Sequence, residues 1–447
     1  MYSVTLNSLW ATDHSTSFLD LDYAIWSNQT FALGQVGKYD PHTVDAFQYH
    51  GYYYSALAPG LSILALPFAG LGFYFEGHFT VYGKALLFSE FFVALLNSFA
   101  VLFVYKIGRL FFSKSSSAFL AFAYGFSTIS WPFATFFFQS DASAAFDIMA
   151  AYFALRTGKG DGRFKTALFA GLAVGAALTV DYVNAILIPI ILVYFLISIS
   201  NSRALLRKAV IGFIASSLIG SLVIGLYNFA SFGEVFVTTE QLYLKSTSFF
   251  GNFTFPLYLG IILNLFTPFR GIFLYSPILI LGILGFYKMS KKSSGARKEG
   301  FLLLALFLGI FLPYSAWYGP DGGLAFGPRF IISSFPFLLM PAGYLIETKG
   351  KYSFSFIYLL YTFGVVINGL AALTTALAGI YGWLVSPFLA STVPFFISGT
   401  LDQWWKDSLG VYWPIGAFLI IITAIFLPMV VGVLVERKKP AQLSASF

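Results

Sequence analysis

What most limits this chain is a succession of long apolar runs with charge confined largely to the gaps between them. The runs are centred on residues 82–105, 117–137, 141–156, 166–180, 183–200, 209–231, 272–289, 301–317, 330–346, 353–380 and 411–434. Most approach the roughly 20 residues that a membrane-spanning helix needs. A water-soluble fold is excluded, because only 10% of the 447 residues are charged while 54 Phe and 27 Tyr must be kept from water. The expected fold class is all-α, a polytopic transmembrane helix bundle of about eleven spans. The absence of Cys rules out disulfides, thiolate nucleophiles and cysteine-ligated metals.

The basic residues orient the bundle. Of the 26 Lys and Arg, 20 lie in alternate connections, within 106–114, 156–165, 203–208, 288–298, 349–351 and the tail 437–439. The positive-inside rule places all six in the cytoplasm. The net charge of +7 is therefore an orientation signal and gives no support to a nucleic-acid partner. Residues 1–80 then form an extracytoplasmic loop, 81–436 the transmembrane domain, and 437–447 a cytoplasmic tail. The loop carries Asp13, Asp20, Asp22, Asp40, Asp45 and Glu76 against a single Lys38, together with all four His. The apolar stretch 55–72 contains Pro59, Gly60, Pro67 and Gly70, and reads as an interfacial or re-entrant helix. An outer N-terminal segment of this length with no signal peptide implies a first span preceding Met1. An upstream reading frame without an apolar stretch would rule that out.

Several segments could carry chemistry. In residues 11–37, Ser17 and Asp20 fit a capping box opening a short helix with Phe18, Leu21, Ile25 and Trp26 on its apolar side and Gly34 as its stop. Asp13 precedes that helix beside His14 and has no capping role. Tyr49, Tyr52, Tyr53 and Tyr54 fit an aromatic belt, or alternatively a sugar platform that includes Tyr53. FTPFRGIFLYSP (266–277) and WYGPDGGLAFGPRF (317–330) each place one Arg, Arg270 or Arg329, at the outer end of a span in a Gly/Pro-broken backbone. A guanidinium there needs an anion or the headgroup layer, and it binds phosphate bidentately. Glu90, Asp141, Asp147 and Asp181 lie near outer span ends and could line one cavity or pair separately with bases. His14 beside Asp13 could join Asp20 or Asp22 in holding a divalent metal cation. No P-loop, His-Glu-x-x-His helix or nucleophile elbow is present.

In this order, the acidic first loop, YYYSALAPGLSILALPF, the Trp-Pro of STISWPFATFFFQSDASAAF, and the two Arg segments resemble the GT-C superfamily of polytopic glycosyltransferases. The likeness is to the branch of protein O-mannosyltransferases and lipid A aminoarabinose transferases. It implies a polyprenyl-phosphate sugar donor used at the extracytoplasmic face of the cell membrane, with a protein or glycolipid acceptor. It also implies an Asp of the first loop as base (Asp13, or else Asp20 or Asp22), with Arg270 and Arg329 on the lipid phosphate. His14, Tyr53 and Asp141 are candidates for contacting sugar or acceptor. Direct displacement would invert the anomeric centre. A lipid or glycan transporter is the alternative, less favoured because no internal repeat is visible. A noncatalytic member of a surface complex is a third reading.

Overall fold

The computed structural model describes residues 1–6, 12–33, 45–76, 83–200, 202–246, 248–292, 294–347, 351–375, 382–400 and 413–437. Among them the chain is almost wholly helical, with one two-stranded hairpin. Seven helices are long and apolar enough to cross a membrane: Lys84–Gly108, Arg163–Val180, Arg203–Phe232, Ala296–Ala316, Arg329–Ile346, Ser355–Leu373 and Pro414–Gly432. Five shorter apolar helices accompany them, among them Gly60–Phe75 and Leu257–Phe266.

Some of the eleven expected runs fold differently from single spans. The run 117–137 holds a helix only over Lys114–Phe126. Thr128 then turns its hydroxyl back to the Tyr124 carbonyl, and Trp131-Pro132 opens a separate short turn. The run 330–346 is helical throughout as Arg329–Ile346, but it is built of short 3-10 and α stretches joined end to end, with Pro336 and Pro341 near the starts of two of them. Leu257–Phe266 is an apolar helix between the runs 209–231 and 272–289, where none was expected.

We label the elements that build the site as follows: α1 (Asp13–Asn28), β1 (Ala46–Tyr49), β2 (Tyr52–Ser55), α2 (Gly60–Glu76), α3 (Lys84–Gly108), α4 (Gln139–Lys159), α5 (Arg163–Val180), α6 (Arg203–Phe232), α7 (Thr239–Tyr243) and α8 (Ser294–Ala316). The hairpin β1–β2 closes over His50-Gly51, both at positive φ (47° and 86°), the backbone that tight two-residue turns require. The stretch expected to lie on the membrane is the single helix α2, packed on α1 and α3.

α5 and α6 cross through small residues. A Cβ added to Gly220 would overlap the Gly175 carbonyl, and one on Gly171 would overlap the Phe213 carbonyl. Ser216 bridges the crossing with a hydrogen bond to the Leu168 carbonyl at 2.8 Å. Such small-xxx-small stripes let backbones approach where lipid offers no hydrophobic drive. Gly220→Val is therefore expected to destabilise the bundle by about 1–3 kcal/mol through overpacking. A fall in thermal unfolding midpoint in detergent would register it, and an unchanged midpoint would refute the crossing.

The basic connections meet at one end of the bundle. Lys159 pairs with Glu299 at 2.6 Å and lies 5.0 Å from the Phe111 ring centre. Lys298 donates to the Ile197 carbonyl at 2.9 Å, the Ser113 amide donates to Glu347 at 2.7 Å, and Lys292 lies over Tyr344 at 5.9 Å. The connections 106–114, 156–165 and 288–298 thus meet on one face, together with the chain around Ile197 and Glu347.

Candidate active site

The opposite end of the bundle holds the site. α1 begins at Asp13, five residues before the start that a Ser17 cap would give. Thr12 is its N-cap, in a reciprocal box with Ser15. Asp13 is consequently the first helical residue, and Ser17 and Asp20 lie inside the helix. The α1 end is at Asn28, with Gln29 in the left-handed conformation; the expected stop, Gly34, is outside the described residues, as are His42 and His78.

His14, in the first turn of α1, projects into a cavity of about 100 Å³ walled by Asp45, Gln139, Glu240, Tyr243, Tyr314, Trp317, Tyr318 and Arg329, with several apolar side chains. Its ring is held at both nitrogens: Nδ1 lies 3.0 Å from Asp45 and Nε2 lies 2.5 Å from the side-chain oxygen of Gln139. Phe18 and Phe138 pack edge-on against it. Asp45 is placed by the end of the loop before β1, whose backbone carbonyl accepts from Ser17 Oγ at 2.7 Å. Gln139 opens α4, and Tyr314 closes α8. The Tyr314 hydroxyl donates to the carboxylate of Asp181, at the end of α5.

Arg329 enters from the Gly/Pro segment. Its Nε donates to the Gly322 carbonyl at 2.7 Å, and its guanidinium lies 4.9 Å from the Phe138 ring centre and 4.8 Å from that of Phe330. Among the described residues it forms no ion pair. A guanidinium resting on aromatic faces in a cavity, without a carboxylate on it, is a site for an anion.

The other expected site residues fall elsewhere. Asp20 and Asp22 are buried on the packed side of α1, and burial raises the Asp22 carboxyl well above its ordinary value. Asp141 is fully buried, accepting from Ser130 at 2.7 Å, which in turn bonds Asn97. Tyr53 pairs with Gln48 in the hairpin and accepts from the Leu33 amide through its carbonyl. Arg270 is fully buried and donates to backbone carbonyls. None of these five lines the cavity. Asp13 does not line it either, but it adjoins His14, and its charge contributes to raising Tyr243, a cavity residue, after burial and Asp45. Among the described residues no three His, Asp or Glu side chains are arranged to hold a metal ion. Both His14 nitrogens are already engaged, so the His14 metal option has no support in the site. Asp45, Gln139, Phe138 and Glu240 were not singled out in the sequence. Asp45 counted only as one acid of the loop, and Glu240 lies on α7 in a connection without a motif.

The two cavity carboxylates are tuned in opposite directions. Burial would raise Asp45, but the hydrogen bond and charge of His14, with the charge of Arg329, outweigh it and hold Asp45 below its ordinary 3.8. Glu240 is raised well above its ordinary value by burial first and by Asp181 second. A depressed acid stabilises the fold above its unfolded value and loses that contribution as pH falls through the folded one. A raised acid penalises the fold as pH climbs from the unfolded value towards the folded one. Asp45→Asn is thus expected to lower the melting midpoint between about pH 5 and 8, with the difference closing below about pH 4. Glu240→Gln should raise that midpoint towards the alkaline side. Parallel midpoint-versus-pH curves for wild type and both variants would contradict these shifts.

Residues 63–226 match the family described as dolichyl-phosphate-mannose-protein mannosyltransferase. No curated protein sequence matches the chain. Among solved structures, ArnT from Cupriavidus metallidurans, described as bound to undecaprenyl phosphate, is similar with a TM-score of 0.57 at 14% identity, over 97% of this chain and 74% of that one. The Archaeoglobus fulgidus oligosaccharyltransferase in its apo form gives 0.53 at 14% identity, over 91% of this chain and 56% of that one. The same oligosaccharyltransferase tethered to an acceptor peptide containing the NVT sequon gives 0.52 at 16% identity, over 83% and 53%. The resemblance to the GT-C superfamily is borne out: the chain is a multi-pass membrane protein with the fold of the GT-C glycosyltransferases, and its residues 63–226 carry the pattern of their protein mannosyltransferase family.

Proposed function

We propose that the chain transfers a sugar from a polyprenyl-phosphate donor to an acceptor hydroxyl in the cavity at the extracytoplasmic end of the bundle. The observation that carries this reading is the convergence of Arg329, free of any ion pair among the described residues, with the His14–Asp45 pair at the end away from the basic connections. The family match and the shared fold support a glycosyltransferase with a lipid-linked donor.

The roles follow from charge. Arg329 holds the donor phosphate and stabilises the negative charge that develops on it as the glycosidic bond breaks. Asp13, the first residue of α1 and next to His14, accepts the proton of the acceptor hydroxyl as that oxygen attacks the anomeric carbon. Attack opposite the departing phosphate inverts that centre. The Asp45–His14–Gln139 chain fixes the imidazole, and Trp317, Tyr318 and Tyr243 supply flat apolar surface against which a sugar ring packs. The acceptor is a protein or glycolipid hydroxyl.

Purified protein in nanodiscs, given polyprenyl-phosphate sugars, should release polyprenyl phosphate in an acceptor-dependent manner. Binding without turnover for every donor tested would favour the transporter instead.

A further inference from the structure

We propose that Arg270 is a positioning residue, which clamps the Gly/Pro loop 317–328 in the shape that presents Arg329 to the cavity; the inference rests on Arg329 being the phosphate ligand. Sequence pattern made the two arginines equivalent, and the structure divides their work. Three consecutive carbonyls of the loop are shared between them. Arg270 Nε donates to the Asp321 carbonyl at 2.5 Å and its Nη2 to the Gly323 carbonyl at 2.5 Å, while Arg329 Nε donates to the intervening Gly322 carbonyl at 2.7 Å. The loop can offer three carbonyls in a row because Gly322 and Gly323 both adopt positive φ, 68° and 72°, a conformation that side-chain-bearing residues rarely take. A Cβ on Gly322 would sit 3.0 Å from Arg329 Cγ, so the loop backbone and the Arg329 side chain are in direct contact.

Arg270 is itself fixed. It is fully buried, stacks 3.6 Å above the Phe269 ring centre, and donates through Nη1 to the Phe269 carbonyl at 3.0 Å, while its own amide donates to Thr267 Oγ1 at 3.1 Å. The far side of the loop is held by Phe326, edge-on to Tyr275 at 4.8 Å, with the Tyr275 hydroxyl on the Pro268 carbonyl. A guanidinium with carbonyls on Nε, Nη1 and Nη2 stabilises a backbone shape, because removing it would strand buried acceptors. Its charge acts on the donor only through the position it gives Arg329.

The test uses the full chain in nanodiscs, with Arg270→Met, Arg270→Lys and Gly323→Ala. Gly323→Ala guards against misfolding of the arginine variants, since nothing lies within 4 Å of its added Cβ and only the backbone conformation is disturbed. In Arg270→Met and Gly323→Ala, amide hydrogen exchange across 319–328 should accelerate and the donor KM should rise about tenfold or more. Turnover at saturating donor should fall too, by less than in Arg329→Gln, because Arg329 is displaced but not removed, and Arg270→Lys, which can reach one carbonyl but not both, should lie between Arg270→Met and wild type. Loop exchange unchanged in Arg270→Met and Gly323→Ala overturns the clamp. A donor KM unchanged alongside faster exchange overturns the positioning role, and a higher KM without faster exchange makes Arg270 a direct phosphate ligand. The exchange measurement needs no turnover, so failure of the transferase reading is distinguishable from failure of the clamp.

Discussion

Arg329→Gln is expected to cut donor turnover by about 30-fold to 4,000-fold, since truncating one partner of a desolvated charge pair costs about 2–5 kcal/mol and each 1.4 kcal/mol is tenfold. The loss should appear mainly in kcat/KM for the donor, because the guanidinium meets the phosphate in the ground state and more strongly as charge grows on it. Arg329→Lys should recover part of the loss. An ammonium keeps the charge but lacks the planar fork that grips two phosphate oxygens, and it stacks less well on Phe138 and Phe330. Initial rates with a defined polyprenyl-phosphate sugar decide the matter. Wild-type rates in Arg329→Gln would remove phosphate binding from this residue.

The second large effect is expected at Asp13. Asp13→Asn should lower kcat by about 10²–10⁴-fold, the span typical of a lost general base, while donor binding persists. Asn is tolerated sterically at the first position of α1, so the fold should survive, apart from a few tenths of a kcal/mol lost against the helix dipole. Asp22→Asn is the matched contrast. Its carboxyl is fully buried with both oxygens unpartnered and is raised well above its ordinary value by that burial. Burial disfavours the charged carboxylate there and the amide is a neutral group of the same shape, so turnover should stay near wild type. Equal, unchanged activity in Asp13→Asn, Asp20→Asn and Asp22→Asn would exclude a base on α1 and point to Glu240, the remaining cavity carboxylate with a buried, unpartnered oxygen.

The sequence was legible where hydropathy and charge act alone. Apolar runs mark helices because lipid forces every backbone group into an internal bond, and basic gaps cluster because one rule sorts them to one side. It misled where hydrogen-bond geometry decides. The Ser17/Asp20 pattern matched a capping box, yet the working box is Thr12 with Ser15, whose third member is a hydroxyl in place of the usual carboxylate or amide. The broken segments 266–277 and 317–330 looked alike in the sequence, each with one Arg among Gly and Pro. Which arginine faces the cavity depended on where three carbonyls of residues 321–323 came to lie.

By itself, then, the sequence determined that this chain has the makeup of a multi-pass membrane protein, and it showed a first loop and two arginine segments that resemble a lipid-phosphate glycosyltransferase pattern. Those properties sum over many residues, so no single contact is needed to establish them. Only the tertiary structure decided that His14, Asp45, Gln139, Glu240 and Arg329 meet, while Asp20, Asp22, Asp141 and Arg270 turn inward. Residues separated by up to some three hundred positions converge there through the crossing of packed helices, and that packing is set by the close approach of small residues such as Gly175 and Gly220, which hydropathy does not register.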